Sequence, residues 1–222
     1  MAEENKEQVT PFVHPHDMEP TTDLSVPLTE SLFLKPPVDV LNTKLHEMIG
    51  NKFLSKKGTT ERERETSTQH EEVTAEFYEG TKYIGLLFSA DWCAPCHTML
   101  PLLRNFYTDI NLDERQLEVI LVSSDHNEKD FGKHFGGMPW TALPYGDRRN
   151  KEWAKRYNVQ GVPKLVILET KTGFKVTETA RKDLALASQE EPGVKGVWKS
   201  WAKLLEINKG RGVKAAEQDA VA

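Results

Sequence analysis

Two cysteines, three residues apart, are the residues of this 222-residue chain best suited to redox chemistry. Cys93 and Cys96 stand in the string Ala-Asp-Trp-Cys-Ala-Pro-Cys-His, after an apolar run and before a helical pattern. A helix beginning at Cys93 would place its thiol at the positive end of the helix dipole, which favours the thiolate. Cys96, one turn later, would face that sulfur and could attack a mixed disulfide formed by Cys93. The spacing therefore predicts a dithiol that exchanges with disulfides.

The same residues also fit two metal-binding alternatives to redox exchange. Cys-x-x-Cys-His is also the attachment motif of c-type haem, with His97 as axial ligand and Met99 or Met138 as remote second ligands. Haem attachment requires export, and the N-terminal residues lack a signal-peptide pattern. Zinc needs four ligands, usually from two clusters, whereas the chain has one cysteine pair; His126 and His134 are expected on the surface. A structural thiol pair is the third alternative, and the sequence favours redox exchange over all three.

A proline downstream supports this reading. The segment Gly161-Val162-Pro163 directly precedes an apolar strand pattern at 164–168. An X–Pro bond at the start of a strand is a natural cis site. A cis Pro163 facing Cys93 would present the Val162 backbone to an extended substrate, which could pair with it as a short strand.

Strand and helix patterns alternate along the rest of the chain. Apolar runs at 82–90 and 117–123 are typical of strands covered on both faces, and a further strand pair is expected at 164–168 and 175–179. Helical periodicity appears at 95–111, 127–135, 148–157 and 194–207. This order predicts an α/β fold, a mixed sheet sandwiched between helices.

The regions outside these patterns have a different composition. Six of the twelve prolines lie in residues 1–37, so residues 1–43 are interpreted as a Pro-rich arm that includes the start of a short amphipathic helix at 38–49. The domain proper is expected at 44–209, with a charged insertion at 58–72. Residues 210–222 are interpreted as a flexible tail.

Composition also excludes some functions. With 29 Lys and Arg against 34 Asp and Glu, the net charge is −5, which is unfavourable for non-specific nucleic-acid binding. No apolar run approaches the roughly 20 residues of a membrane helix. With no signal-peptide pattern, we expect a cytoplasmic protein that contacts neither nucleic acid nor membrane.

Two motifs resemble a known family. The string Phe-Ser-Ala-Asp-Trp-Cys-Ala-Pro-Cys, followed by Gly-Val-Pro, resembles the thioredoxin superfamily. The segment Met138-Pro-Trp-Thr-Ala-Leu-Pro-Tyr145 resembles, more narrowly, tryparedoxins and nucleoredoxins. The likeness covers about residues 44–207, and it implies a thioredoxin-like fold with a central mixed sheet flanked by helices.

The resemblance also implies an activity and a set of site residues. The family members are thiol-disulfide oxidoreductases that need no bound cofactor, act on protein disulfides, and are restored by a dithiol reductant such as trypanothione, glutathione or a reductase. By position, Cys93 matches the nucleophile and Cys96 the resolving cysteine. The other implied catalytic residues are Trp92, which shields the pair, and the cis-proline Pro163. The implied substrate-binding residues are Pro95, His97, Val162 and Arg181.

Three positions depart from the family pattern. Ala94 replaces the first of two prolines between the cysteines, His97 replaces an arginine, and Ser124 replaces a tryptophan. The latter two lie around the mouth of the site and bear on the choice of reductant. Leu87 stands where ordinary thioredoxins have a buried acid, so proton transfer to Cys96 must use water or another group.

The arm permits a second hypothesis, in which the chain is a thioredoxin-like interaction subunit docked in a larger assembly through residues 1–37. If the arm docks, deleting residues 1–37 removes co-purifying partners while the dithiol chemistry of the remaining domain is retained. Affinity purification of both forms, with a disulfide-reduction assay on each, checks this. Unchanged partner recovery and unchanged location in the cell would refute docking.

Overall fold

The computed structural model of the protein describes residues 45–58, 63, 69–189 and 193–219. The expected arm at 1–43 and much of the expected insertion lie outside these residues. In chain order the elements are α1 (Leu45–Ile49), β1 (Phe53–Lys56), β2 (His70–Val73), a 3-10 helix (Ala75–Tyr78), β3 (Tyr83–Ser89), α2 (Ala94–Ile110), β4 (Leu117–Ser123), α3 (Glu128–Gly136), β5 (Thr141–Ala142), α4 (Arg149–Arg156), β6 (Lys164–Glu169), β7 (Lys175–Thr177), α5 (Ala180–Ala187) and α6 (Gly193–Asp219).

A seven-stranded mixed sheet runs through the molecule in the order β2-β1-β5-β4-β3-β6-β7. At its centre β3 pairs parallel with β4 and antiparallel with β6, so that Leu86 lies opposite Ile120 on one side and Val166 on the other. Strand β5 pairs parallel with β4, and the remaining pairings, β1 with β5, β1 with β2 and β6 with β7, are antiparallel. The expected α/β fold with a central mixed sheet is confirmed.

Every residue of β3 and β4 is buried, because helices cover both faces of the central strands. Successive side chains of a strand point to opposite faces, so Leu87 joins the cluster under α2, α3, α5 and α6, whereas Phe88 joins the cluster under α1 and α4. Burial on both faces explains the uninterrupted apolar runs of these two strands.

Several elements differ from the expectations. Residues 70–72, assigned to the insertion, belong to β2, which pairs with β1 as a polar edge strand (Phe53 opposite Val73). The two-residue β5 and helix α5 were not expected. Helical conformation continues through Asp219, so the tail expected at 210–222 is helical over 210–219. Good helix formers in Val-Lys-Ala-Ala-Glu-Gln explain this extension.

None of the helices within the described residues combines the length and the apolar character that a membrane span requires.

Trp201 joins α6 to the helix that carries the cysteines. Its side chain is 1% exposed, its ring lies 5.2 Å from that of Phe106 in α2, and its Nε1 donates a hydrogen bond of 2.8 Å to Asp183 of α5. Truncation of a buried tryptophan removes transfer energy and leaves a cavity.

We expect Trp201→Ala to lower the free energy of unfolding by about 3–5 kcal/mol, and Trp201→Phe, which keeps most of the ring packing, by about 1–2 kcal/mol. Urea unfolding followed by circular dichroism measures both changes. Trp92→Ala is the matched control, because Trp92 is 56% exposed, and it should cost about 1 kcal/mol or less. Equal losses at the two tryptophans would contradict this account of α6.

Candidate redox site

The two cysteines stand at the start of α2, directly after the loop that leaves β3. They are joined by a disulfide with Cα atoms 5.2 Å apart. Cys93 caps the helix, and its Sγ accepts a hydrogen bond from the backbone N–H of Cys96 at 3.2 Å. Cys93 is 4% exposed and Cys96 0%. In the reduced state the same N–H and the helix dipole would stabilise negative charge on Cys93.

The residues between the cysteines suit this position. Ala94 and Pro95 are the first two residues of α2, and both are exposed. Proline is tolerated there because the first N–H groups of a helix have no partner within the helix. Pro95 therefore lies on the accessible rim of the dithiol.

The peptide bond between Val162 and Pro163 is cis, as the sequence analysis expected. The Val162 carbonyl oxygen lies 3.6 Å from Cys93 Sγ, and the Val162 side chain packs against Cys93, Cys96 and Ala90. Pro163 is buried and leads directly into β6, the antiparallel neighbour of β3. Pairing of β3 with β6 thus brings the proline segment and the cysteines together from positions 67 to 70 residues apart.

Trp92 directly precedes the pair and is more than half exposed, and its role in shielding the cysteines stays a prediction. Its Nε1 donates a hydrogen bond of 3.1 Å to the Ser124 carbonyl, and its ring stacks on His126 at 5.6 Å with an interplanar angle of 7°. Ser124, where the family has tryptophan, therefore contributes its backbone to the site.

His97 contacts the loop that precedes the cysteines. Its Nε2 donates to the Asp91 carbonyl at 2.5 Å, and Lys133 Nζ lies 2.7 Å from the Asp91 carboxylate. The hydrogen bond from Lys133 and its positive charge lower the pKa of Asp91. The Asp91 N–H donates to Asp125 Oδ1 at 2.7 Å, so this one residue is held from three sides.

The surface location expected for His134 is wrong. His134 is 4% exposed, its Nε2 lies 2.9 Å from Ser89 Oγ, and burial lowers its pKa. The i, i+3, i+4 spacing of Phe131, His134 and Phe135 places it on the buried face of α3. That spacing was the available signal, because it makes His134 part of an apolar stripe.

Arg181 is a predicted site residue that lies on a different element from the cysteines. It is exposed in the first turn of α5. A contact of 3.3 Å between Lys164 Nζ and Glu178 places the connection from β7 to α5 at the end of the sheet where Pro163 lies. Among the contacts of the described residues, none links Arg181 with Cys93 or Cys96. Its role stays a prediction.

A groove of about 490 Å³ opens beside the dithiol, between Trp92 and Val162 on one side and α4 on the other. Asn150 of α4 lines it, and its Nδ2 donates to the Ser123 carbonyl at 3.1 Å. Its buried Oδ1 has no hydrogen-bond partner among the described residues.

The described residues contain no group of three or more His, Cys, Asp or Glu side chains arranged to hold a metal ion. The zinc alternative therefore has no donor set in this part of the chain.

A dithiol at the start of a helix, beside a cis-proline that leads into an antiparallel strand of a mixed sheet, defines a protein of the thioredoxin-like class. A sequence model described as Thioredoxin-like matches residues 80–174. A tryparedoxin of Trypanosoma brucei brucei is 39% identical over 101 residues, 45% of this chain and 69% of that protein. The solved structure of tryparedoxin from Trypanosoma brucei superposes with a TM-score of 0.51 and 34% identity, over 61% of this chain and 84% of that one. The chain belongs to the thioredoxin-like family that includes tryparedoxins and nucleoredoxins.

The relation to nucleoredoxins covers a smaller part of those proteins. Nucleoredoxin of Xenopus laevis is 38% identical over 103 residues, 46% of this chain and 25% of that protein. The chain thus matches about a quarter of the nucleoredoxin length.

The loop before α4, which forms one wall of the groove, is held by an ion pair. Both Asp147 oxygens bind the Arg149 side chain, at 2.9 and 2.7 Å, and the Arg149 guanidinium lies 4.8 Å from the Phe53 ring centroid while donating to the Ile49 carbonyl at 2.8 Å. Burial alone would raise the pKa of Asp147, but the hydrogen bonds and charge of Arg149 outweigh it and lower that pKa.

The folded-state pKa of Asp147 is depressed. The pair therefore stabilises the fold at pH values above the ordinary aspartate pKa, and this contribution is lost as the pH falls below about 4. Asp147→Asn should lower the free energy of unfolding at pH 7 by about 1–3 kcal/mol and reduce its further fall between pH 5 and pH 2. Urea unfolding over this range measures both. Asp113→Asn, on an exposed loop, is the control, and an identical acid branch in parent and Asp147→Asn would contradict the assignment.

Proposed function

We propose that this protein is a thiol-disulfide oxidoreductase that reduces protein disulfides through Cys93 and Cys96. The observation that carries the proposal is the position of Cys93, which caps α2 and lies 3.6 Å from the Val162 carbonyl of the cis-proline segment. A nucleophile at a helix N-terminus and a backbone segment beside it that an extended peptide can pair with are the two features that favour disulfide exchange with a polypeptide.

In the proposed reaction the Cys93 thiolate attacks one sulfur of a substrate disulfide. The substrate bond breaks, one substrate sulfur leaves as a thiolate that takes a proton, and Cys93 is left in a mixed disulfide. Cys96 then loses its proton and attacks Cys93 Sγ, which releases the second substrate sulfur as a thiol. The substrate gains two electrons and two protons, and the enzyme is left with the Cys93–Cys96 disulfide.

Differences in exposure support this division of roles. Cys93 has the more exposed side chain of the pair and accepts the N–H of Cys96, whereas Cys96 is fully buried. Lowering a thiol pKa from about 8.5 to about 7 corresponds to about 2 kcal/mol. A helix terminus supplies up to about 2 kcal/mol at a partly buried site, and a hydrogen bond to a charged group supplies about 1.5–3 kcal/mol, so the two contributions are of similar size.

Substrate binding is proposed along the Val162 backbone and in the adjoining groove. An extended peptide would pair with Val162 as a short strand, with Pro95 and His97 on the rim and Trp92 against its flank. Asn150 would line the wall of the groove opposite Trp92 and Val162. Arg181, at the same end of the sheet, would contact a more distant part of the substrate.

The reductant that restores the dithiol is proposed to be trypanothione, glutathione or a reductase, with no resident cofactor. Because a reductase dithiol functions in a reducing compartment, we propose the cytoplasm as its location. Turnover with each reductant in turn identifies the physiological class.

Single cysteine variants test the proposed roles. Cys93→Ser should slow insulin-disulfide reduction by about 100-fold or more, because the attacking thiolate is gone. Cys96→Ser should keep the first attack and accumulate a mixed disulfide, seen as a mass increase that a reductant removes.

Ser200→Ala, exposed on α6, is a control expected to match the parent rate. Insulin reduction by Cys93→Ser at the parent rate would refute the proposed function. Accumulation of the mixed disulfide in Cys93→Ser rather than in Cys96→Ser would reverse the roles.

A further inference from the structure

The sheet face beneath α2 lacks the buried acid of ordinary thioredoxins. Leu87 occupies that position and is fully buried. Ser89, two residues further along β3, points to the same face and is also fully buried. The polar group at the end of β3 on this face is therefore a hydroxyl. Its role, which rests on the proposed function, depends on what it binds.

Ser89 is joined to a buried imidazole. Its Oγ lies 2.9 Å from Nε2 of His134, and both side chains are buried. Ser89 is the last residue of β3, and the next residue, Ala90, belongs to the same buried cluster as Cys93 and Cys96. The contact therefore fixes the point where the chain leaves the sheet on its way to the nucleophile.

His134 also contacts this loop indirectly. Its ring meets the His97 ring edge to face, with centroids 5.9 Å apart. His97 in turn donates to the Asp91 carbonyl at 2.5 Å. His134 thus contacts Ser89 directly, and it contacts Asp91 through the ring of His97. These two residues flank Ala90.

The charges around His134 determine its protonation. Burial lowers the pKa of His134, the nearby charges of Asp125 and Asp91 oppose this, and those of His97 and Lys133 reinforce it. With a pKa below the ordinary value of about 6.5, the imidazole is neutral at pH 7. A neutral ring can share one proton with the Ser89 hydroxyl without a buried charge.

We propose that His134 is a positioning residue for the redox dithiol: its hydrogen bond to Ser89 holds the loop from β3 to α2 so that Cys93 Sγ meets the N-terminus of the helix. When this bond is lost, the loop relaxes, Cys93 Sγ is less well aligned with the helix N–H groups, and its thiolate is less stable. Cys93 then reacts more slowly near neutral pH.

Two variants separate the hydrogen bond from the ring. His134→Phe keeps an aromatic ring that can contact His97 but cannot bond Ser89. His134→Gln places an amide group near the position of Nε2 and can keep that bond. The reduced proteins are alkylated with iodoacetamide between pH 5 and pH 9.5, and the rate at Cys93 is followed by peptide mass analysis.

We expect His134→Phe to slow alkylation of Cys93 at pH 7 about threefold. The midpoint of its pH profile should rise by about half a pH unit, which corresponds to the same threefold change in the thiolate fraction. The rates should converge at pH 9.5, where the thiol is ionised in every variant. His134→Gln should stay within about twofold of the parent. His70→Gln, an exposed histidine on β2 that stacks on Phe135 of the same helix, is the matched control and should equal the parent.

The proposal is overturned if His134→Phe keeps the parent midpoint, or if His134→Gln shifts it as far as His134→Phe does. Should His134→Phe fail to fold, Ser89→Ala removes the other end of the bond and must give the same upward shift. The alkylation rate reports the thiol itself, whether or not insulin is turned over. A protein with the expected profile but no disulfide reductase activity would therefore refute the proposed function while leaving the role of His134 intact.

Discussion

The site depends on one junction, where β3 leaves the sheet and α2 begins. Strand β3 is buried on both faces and paired on both edges, so its last residue cannot shift without disturbing β4 and β6 together. Four residues later Cys93 caps α2. The thiol is therefore aimed by the most constrained strand of the fold, while the helix supplies the N–H groups that favour its ionised form.

The pairing of β3 with β6 explains why the second half of the site comes from a distant part of the chain. Phe88 lies opposite Lys164, one residue after the cis-proline. This register places Val162 beside the cysteines, and it leaves the groove between Trp92 and α4 open. The loop around Asp91 is held by Asp125, Lys133 and His97, and Ser89 by His134, so the approach to the nucleophile is fixed by side chains from α2, α3 and the loop after β4.

Much of the architecture could be predicted from the sequence because the central elements obey local rules. The runs at 82–90 and 117–123 become β3 and β4 with shifts of one residue or none, and the helix expected at 95–111 is α2.

Elements formed by tertiary pairing were missed. Strand β5 has two residues, which is too short to show any periodicity, and β2 is a polar edge strand that exists because β1 lies beside it. His134 was placed wrongly because its polar type outweighed its spacing. The ion pair of Asp147 and Arg149 holds α4 at the groove, and Arg149 also contacts Ile49 and Phe53, about 100 positions earlier. These contacts could not be predicted from either segment alone.

The central claim is that α2 makes Cys93 the thiolate of the pair. The most direct test is competitive alkylation of the reduced protein at pH 6.5 with a limiting amount of iodoacetamide, followed by peptide mass mapping of the two cysteines. The account predicts about tenfold or more label on Cys93 than on Cys96, because Cys93 caps the helix and is 4% exposed whereas Cys96 is fully buried. Equal labelling, or preferential labelling of Cys96, would contradict it.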